Sequence, residues 1–335
     1  MIFWFGIYAI VSISLNLEYG LAGIPNFGRA LAVLFGAFTI GGIVNRIFIA
    51  YYGIQGELVE SSAELKTILN QRISEDPAFG ILLLLLYLSS AAIVSGAIGA
   101  VAILPSARLS RDYLAITLLA ISEVSFMVFN YNTALSGGYY GISLPDVFAF
   151  YTGNRQMLFA LLSLVLLLFV FILAERISNS PFGRLLRAMR EDEDVVRAYG
   201  RNLMVLRIKI SAISSAIAGI AGAIFSLFTA NFIASNFTRV EWTFYPFLMV
   251  LLGGAGNNKG VLLGTLVFVV VRQLLIVYKH EIVEVLKIPF ETVWVEYIAF
   301  GLAMFLVLLY RPEGLLKETP VLKVARRLRS SESSR

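Results

Sequence analysis

Long apolar stretches alternate with short polar segments along the whole chain. Four of these stretches contain no Asp, Glu, Lys or Arg, and they cover residues 77–107, 124–145, 156–174 and 210–238. A helix of about 20 residues crosses the hydrocarbon core of a bilayer, so each stretch is long enough for one crossing. The pattern therefore predicts a protein that crosses a membrane several times.

Hydropathy over a window of about 19 residues predicts the individual spans. They cover residues 2–19, 28–50, 79–104, 112–132, 155–174, 207–230, 243–254, 260–279 and 293–310. The span at 243–254 is short, which is typical of a re-entrant or broken helix. The predicted fold is all-α, a polytopic transmembrane bundle of about eight to ten helices.

The distribution of Lys and Arg predicts the orientation, because these residues are retained on the cytoplasmic side. With the N-terminus outside and the C-terminus in the cytoplasm, the inner segments hold 19 of the 27 basic residues. Residues 1–310 then form a transmembrane domain with an acidic outer loop at 51–79 and a cytoplasmic loop at 175–206. Residues 311–335 form a basic cytoplasmic tail.

Composition agrees with a membrane protein and limits the chemistry. Hydrophobic residues make up 58% and charged residues 15% of the chain, against about 45–50% and 25% in soluble domains. Because the spans are repeated, they are not a signal peptide. With no cysteine and only one histidine, His280, we expect no metal site and no catalytic residue. The net charge of +5 reflects membrane orientation, so we expect lipid around the chain and no nucleic-acid partner.

Small residues recur at every fourth position from Ser211 to Ala230. They form two neighbouring stripes, Ser211, Ser215, Gly219 and Ala223, and Ala218, Gly222, Ser226 and Ala230. In lipid, helices associate through close backbone approach at such residues. We expect this helix to lie inside the bundle, although many membrane helices carry similar stripes.

The inner loop at 175–206 predicts two short helices. Ser180 and Pro181 are suited to the cap and the first position of the first helix. Its apolar residues share one face, while Arg184, Arg187 and Arg190 project elsewhere. The acidic run from Glu191 to Asp194 favours the start of a second helix, and Gly200 is a fitting stop. The apolar edge suits either an interfacial membrane helix or a docking surface for a cytoplasmic protein, which we favour.

Five sequence blocks resemble the permease subunits of branched-chain amino-acid ATP-binding cassette importers, the LivH and LivM type, and LivM more closely. The blocks are Asn179 to Glu193 (NSPFGRLLRAMREDE), Asp112 to Leu118 (DYLAITL) leading to Glu123, Ser136-Gly137-Gly138 with Gly141-Ile142, Leu251 to Gly256 (LLGGAG) through Gly260 and Gly264, and Arg311 to Leu316 (RPEGLL). They occur in the family's order and span most of the chain.

The resemblance implies a channel subunit in the plasma membrane that is not itself an enzyme. It implies a second, LivH-like permease, two cytosolic ATPase subunits and an extracellular or periplasmic substrate-binding protein. It places contact with the ATPase on Pro181, Phe182, Gly183, Arg184, Arg187, Ala188, Glu191 and Gly200. It also carries over the glycine-rich motifs Ser136, Gly137, Gly138, Gly141, Gly253, Gly254, Gly256 and Gly260. We expect no cofactor in this chain, with ATP and Mg²⁺ bound by the partner ATPases.

The run from Gly253 to Gly260 is not a phosphate-binding loop. That motif needs Gly before the Lys and Ser or Thr after it, whereas Asn258 and Gly260 flank Lys259 here. We interpret the run as a turn between packed membrane helices. It follows that ATP must be hydrolysed by another chain.

Charged residues within the spans are candidates for the translocation path. Glu123 lies eleven residues beyond Asp112, about 16 Å along a helix with a rise of about 1.5 Å per residue. Arg272 lies at a similar depth beyond Gly260. A charge at that depth is costly unless it is paired or faces water, so Glu123 and Arg272 either pair, which could be purely structural, or line the path. Glu18 lines the inner end of the first span or sits at the membrane interface.

Two other functions stay open on the sequence alone. An ion-driven secondary transporter would be expected to carry a chain of intramembrane carboxylates, and Glu123 is nearly alone. A permease of the same family could carry urea or amides instead of leucine, isoleucine and valine. An intramembrane enzyme is disfavoured because no paired carboxylates, Ser-His arrangement or metal-ligand cluster falls within a span.

Overall fold

The computed structural model describes residues 1–105, 109–286, 292–311 and 313–318, and these residues are predominantly helical. Within those ranges, seven helices are long and apolar enough to cross a membrane. They are Ile2–Leu21, Arg29–Tyr52, Pro77–Ile103, Arg111–Tyr131, Arg155–Asn179, Leu203–Thr229 and Asn258–Tyr278, with a shorter apolar helix at Glu296–Val307. The predicted all-α polytopic bundle is confirmed.

The helices and strands follow one another along the chain as a nearly continuous helical series. The helices are α1 (Ile2–Leu15), α2 (Arg29–Phe38), α3 (Asn45–Tyr52), α4 (Leu58–Glu75), α5 (Pro77–Ile103), α6 (Arg111–Tyr131), α7 (Thr133–Ser136), α8 (Arg155–Asn179), α9 (Pro181–Glu191), α10 (Glu193–Ala198), α11 (Leu203–Thr229), α12 (Tyr245–Gly253), α13 (Asn258–Leu286) and α14 (Thr292–Tyr310). Two short antiparallel strands, β1 (Ile142–Ser143) and β2 (Asn231–Phe232), pair with each other.

The centre of the bundle is α11, which packs between α2 and α5. Its small residues face those helices as expected: a Cβ on Gly219 would overlap the Ser95 side chain of α5, and one on Gly222 would overlap the Val33 carbonyl of α2. Because the backbones approach this closely, α11 is buried along most of its length. The expectation from the small-residue stripes is confirmed.

Three wider π-helical turns interrupt the apolar helices in the described part of the chain, at Asn16–Leu21, Thr39–Val44 and Val240–Phe244. Such turns occur mostly as single-turn bulges and are frequent at functional sites. Two of them contain a carboxylate, Glu18 in the first and Glu241 in the third. These two turns bring a charge into the bundle, whereas the second turn, Thr39–Val44, contains no charged residue.

The predicted outer loop at 51–79 contains a helix that the hydropathy pattern did not indicate. Leu65, Leu69 and Ile73 of α4 are fully buried, and α4 packs on β1 and α5. At its end Asp76 accepts a hydrogen bond from the Ala78 amide at 3.0 Å and caps α5. The segment therefore folds onto one end of the bundle.

The two ends of the bundle differ in which chain segments they contain. Met1 lies beside Asn154 and Phe228 at the end that carries α4 and the β1–β2 pair. The segment after α14 lies at the other end, where Leu316 bonds to Gly253 and where α9 packs on the π-helical turn after α1. We call this second end the α9 end. The first residues of the predicted tail are therefore packed on the bundle, and residues 319–335 lie outside the described residues.

Candidate translocation path and coupling surface

The span predicted at 243–254 is a short helix that follows irregular chain. After α11, the chain runs through β2 and a 3₁₀ turn at Ala234–Asn236, and the π-helical turn at Val240–Phe244 then continues directly into α12. Together the turn and α12 span about 20 Å at about 1.5 Å per residue, less than the bilayer core of about 30 Å. Discontinuous helices of this kind build substrate sites in many transporters.

The irregular chain at 230–238 and the π-helical turn that follows it stay inside the bundle because their polar groups are satisfied there. Trp242 is fully buried, and its indole nitrogen donates to the Asn236 carbonyl at 2.8 Å. The Thr243 hydroxyl accepts a hydrogen bond from the Ala30 amide at 3.0 Å. Non-helical backbone is tolerated at membrane depth only when it is buried in protein or lines a water-filled cavity.

Arg272 of α13 is the centre of a charge cluster beside the short span at 243–254, which we call the broken span. Its guanidinium contacts Glu241 at 2.9 Å and Glu296 of α14 at 2.8 Å, and it donates a hydrogen bond to the Tyr8 hydroxyl. The Tyr245 hydroxyl donates to Glu296 at 3.2 Å, and its ring lies 5.3 Å from the guanidinium carbon. Two carboxylates against one guanidinium leave the cluster with one excess negative charge.

Glu123 and Arg272 do not pair with each other, so the hypothesis of a direct pair is wrong. Glu123 pairs with Arg239 at 3.4 Å, while Arg272 pairs with Glu241 and Glu296. The physical reason is the helical segment that leads into α12, which carries Arg239 and Glu241 between α6 and α13. Glu123 and Arg272 therefore each have a partner on this segment.

Glu18 is buried inside the bundle near the inner end of the first span. It forms an ion pair with Arg29, and both side chains are 0% exposed. Its Oε2 also accepts hydrogen bonds from Ser214 at 2.8 Å and from Asn26 at 3.1 Å. In this arrangement Glu18 does not line an open path, because Arg29 of the next helix pairs with its carboxylate and covers it.

A groove of about 680 Å³ lies next to the Arg272 cluster. Its lining is apolar and rich in aromatic rings, and it includes Phe27, Tyr245, Trp294, Phe300, Gly301 and Met304. Tyr245 belongs to both the groove and the cluster, since its ring lines the groove and its hydroxyl bonds to Glu296. The groove can hold an aliphatic side chain with negative charge at one edge.

The loop at 175–206 forms the two predicted helices, α9 and α10. Ser180 accepts a hydrogen bond from the Gly183 amide at 3.2 Å and caps α9, with Pro181 in its first turn. Asp192 caps α10 through the Asp194 amide at 2.8 Å. Gly200 ends the pair with a φ of +70°, in the left-handed region that glycine adopts without strain. The local signals in the sequence were therefore sufficient for both helices.

The apolar edge of α9 is packed against the bundle, which corrects the expectation that it forms a docking surface for a cytoplasmic protein. Leu186 and Met189 are buried against the rest of the chain, because α9 packs on α8 and on the π-helical turn after α1. The exposed surface comes largely from the charged side of α9 and from α10. We define the coupling surface as Pro181, Arg184, Glu191, Val195, Tyr199 and Gly200, all of which are exposed.

The other residues predicted to contact an ATPase are less exposed. Phe182, Arg187 and Ala188 are partly buried, and Gly183 is buried, where a Cβ would overlap the Ile177 and Ser178 carbonyls. Gly183 is therefore needed for the close turn between α8 and α9. Arg187 bonds to Glu318 within the same chain.

The two glycine-rich motifs lie at opposite ends of the bundle. Ser136, Gly137, Gly138 and Gly141 form the turn before β1, and the three glycines have positive φ. Gly253, Gly254, Gly256 and Gly260 form the turn between α12 and α13 and pack on residues 313–318. We call this second motif the glycine-rich turn. Its interpretation as a turn between packed helices is confirmed.

Sequence reasoning missed Arg239, Glu241, Glu296 and Arg29 as partners of the intramembrane charges. Arg239 and Glu241 fall before the predicted span at 243–254 and outside every predicted span. The available signal was the shortness of that span, because a helix too short to cross the membrane requires the preceding chain to enter it. Nothing in the local pattern indicates that Arg29 folds back onto Glu18.

Comparison with known proteins gives one family. The family described as "Branched-chain amino acid transport system / permease component" matches residues 1–308. A "Probable branched-chain amino acid transport permease protein LivM" from Methanocaldococcus jannaschii is 52% identical over 323 residues, covering 96% of this chain and 94% of that relative. The "High-affinity branched-chain amino acid transport system permease protein LivM" of Escherichia coli is 28% identical, covering 95% of this chain and 70% of that relative. No solved structure shows significant similarity to the chain.

Proposed function

The chain belongs to the permease-component family of branched-chain amino acid transport systems, and we propose that it forms one half of the membrane channel of an ATP-binding cassette importer for leucine, isoleucine and valine. It is a multi-pass protein of the plasma membrane and a transport subunit. The observation that carries the proposal is the broken span, with its charge cluster and apolar groove, within a chain that matches the family along almost its whole length.

An importer of this class needs a second permease, ATPase subunits and a substrate-binding protein. We propose that the second permease is LivH-like, that two ATPases bind at the α9 end, and that the binding protein docks at the end with α4. This orientation follows the Lys and Arg distribution. ATP and Mg²⁺ then bind only to the partner ATPases.

The groove beside Arg272 supports a path for amino acids with branched aliphatic side chains. Its aromatic and apolar lining suits the side chain, and the excess negative charge of the cluster attracts the ammonium group. Urea and small amides have neither an aliphatic side chain nor a positive charge. The groove therefore favours the branched-chain substrates over the amide alternative.

Filling the groove is expected to slow transport without disturbing the fold. A Cβ on Gly301 meets no atom within 4 Å, so the backbone can accept a side chain there, and Gly301→Phe adds a ring to a residue that lines the groove. We expect leucine uptake by the assembled transporter to fall at least about tenfold, because a misfit of even one methylene in an apolar site costs about 1–3 kcal/mol.

The matched control is Leu302→Phe, because Leu302 is 56% exposed and is outside the groove. Its uptake should equal that of the wild type. Loss of co-purification with the second permease in Gly301→Phe would show instead that the groove is a subunit interface, and unchanged uptake would exclude it from the path.

We propose that α9 and α10 receive the motion of an ATPase through the coupling surface. The helix pair is fixed to the bundle on its inner side: Glu193 pairs with Arg207 of α11 at 2.5 Å, and Arg111 of α6 donates to the Arg190 carbonyl at 2.7 Å. An ion-driven transporter needs no such docking surface. The intramembrane carboxylates Glu18, Glu123, Glu241 and Glu296 are each paired with an arginine, which disfavours a proton relay.

The test of the proposed function is reconstitution of the chain in vesicles with its second permease, binding protein and ATPase subunits. We expect labelled leucine to enter only with ATP and only when the ATPases are present. The purified chain alone should hydrolyse no ATP. Uptake that follows an ion gradient without ATPases, or ATP hydrolysis by the chain alone, would refute the importer.

A further inference from the structure

The segment after α14 forms hydrogen bonds with the glycine-rich turn and with the end of α12. The Leu315 amide donates to the Leu252 carbonyl at 2.8 Å, and the Leu316 amide donates to the Gly253 carbonyl at 3.0 Å. Asn257 donates through its side chain to the Lys317 carbonyl at 3.0 Å. Residues 313–318, which we call the C-terminal segment, are therefore held on the turn between α12 and α13.

The last described residue of this segment, Glu318, contacts α9. Its Oε1 accepts a hydrogen bond from Arg187 Nε at 3.0 Å, and its Oε2 accepts one from an Arg190 guanidinium nitrogen at 2.7 Å. A Cβ on Gly256 would lie only 2.8 Å from the Glu318 carboxyl carbon. The glycine thus leaves the space in which the carboxylate reaches both arginines.

The two arginines extend this contact to the membrane spans. Arg187 also donates to the Ser178 carbonyl at the end of α8, at 3.1 Å. Arg190 also donates to the Gly20 carbonyl in the π-helical turn after α1. One carboxylate therefore joins α9, the glycine-rich turn and, through the arginines, the ends of α1 and α8.

The burial of these charges distinguishes the contact from an ordinary surface ion pair. The side chains of Arg187, Arg190 and Glu318 are 19%, 23% and 23% exposed, whereas exposed pairs contribute little to stability. Removing the carboxylate would leave two guanidinium groups close together with no shared anion. By contrast, Glu313 pairs only with Lys317 in the described chain, and both side chains are largely exposed.

We propose that Glu318 is a positioning residue that fastens α9 to the glycine-rich turn, so that ATPase-driven movement of the coupling surface reaches α12 and α13. These helices are connected to the charge cluster: Glu241 lies in the π-helical turn that continues into α12, and Arg272 lies on α13. The C-terminal segment supplies the short route between the coupling surface and the path. The inference rests on the proposed function, since it requires an ATPase to bind this end.

The experiment compares Glu318→Gln with Glu313→Gln in the complete reconstituted transporter. Leucine uptake and ATP hydrolysis are measured together, and the readout is the ratio of leucine taken up to ATP hydrolysed. We expect the ratio to fall about fivefold in Glu318→Gln, the lower end of typical coupling between distant sites. Glu313→Gln should keep the wild-type ratio, and both variants should co-purify with the ATPases.

A double-mutant cycle tests whether Glu318 acts through Arg187. If it does, Arg187→Gln combined with Glu318→Gln should lower the ratio no further than the stronger single variant. Should Glu318→Gln fail to assemble, Glu318→Asp takes its place, because it keeps the charge but shortens the reach. That variant should also lower the ratio.

Three results would overturn the proposal. The first is a wild-type ratio in Glu318→Gln or, where that variant does not assemble, in Glu318→Asp. The second is an equal fall in uptake and hydrolysis, which indicates a merely structural role. The third is full additivity in the double variant. A wild-type transporter with no ATP-dependent uptake would instead refute the proposed function, so the two failures are distinguishable.

Discussion

Glu18→Leu in a chain that keeps Arg29 is expected to reduce the amount of folded protein in the membrane sharply. Both side chains are fully buried and form an ion pair, and the substitution leaves a guanidinium in the bundle with only Ser214 as a described side-chain partner. Removing one partner of a buried pair costs about 3–5 kcal/mol. Because total stability is about 5–15 kcal/mol for typical proteins, a large fraction of the margin is lost.

The reverse substitution, Arg29→Met, should be less harmful. Arg29→Met removes the guanidinium, the group that stays charged in proteins, and so leaves no buried cation without its partner. The carboxyl of Glu18 also keeps its bonds to Asn26 and Ser214. We therefore expect Glu18→Leu to be the least stable, Arg29→Met to be intermediate, and Glu18→Leu with Arg29→Met to be more stable than Glu18→Leu alone.

The measurement is thermal unfolding of detergent-solubilised protein, followed as the monodisperse fraction on size-exclusion chromatography after heating. Membrane abundance of the same variants gives the second readout. A Glu18→Leu protein as stable as the wild type would show that water or lipid headgroups reach Arg29, and it would contradict the buried pair.

Gly222→Ala is expected to destabilise the protein, although alanine is the better helix former. A Cβ on Gly222 would overlap the Val33 carbonyl, so α2 and α11 must separate. Overpacking of this kind costs about 1–3 kcal/mol. In the bilayer the loss is large because close backbone contact is the main attraction between such helices.

The matched control is the same chemical change at Gly301, where a Cβ meets no atom within 4 Å. Gly301→Ala should leave stability unchanged or raise it by up to about 1 kcal/mol, from helix propensity alone. The pair is compared by the same thermal assay in one detergent. Equal effects at the two glycines would mean that α2 and α11 do not pack as closely as described.

The membrane spans, the two helices of the inner loop and the small-residue face of α11 were predictable because each depends on local signals. A bilayer requires a continuous apolar stretch for every full helix, and helix caps are set by residues within one turn. Ser180, Asp192 and Gly200 therefore indicated the ends of α9 and α10 before any packing was known. The buried helix α4 was missed because only Leu65, Leu69 and Ile73, three residues among many charges, carry its packing face.

Charge pairing depended on tertiary structure, since partners far apart in sequence meet only when the helices pack. Arg239 and Glu241 reach Glu123 and Arg272 because the helical segment that leads into α12 lies between α6 and α13, and Glu318 reaches α9 because the chain folds back over the glycine-rich turn. The sequence by itself determined that the chain is an all-α membrane permease, because hydropathy, glycine turns and family motifs are written in consecutive residues. The tertiary structure alone decided which charges neutralise one another, because ion pairing at membrane depth depends on distance in space.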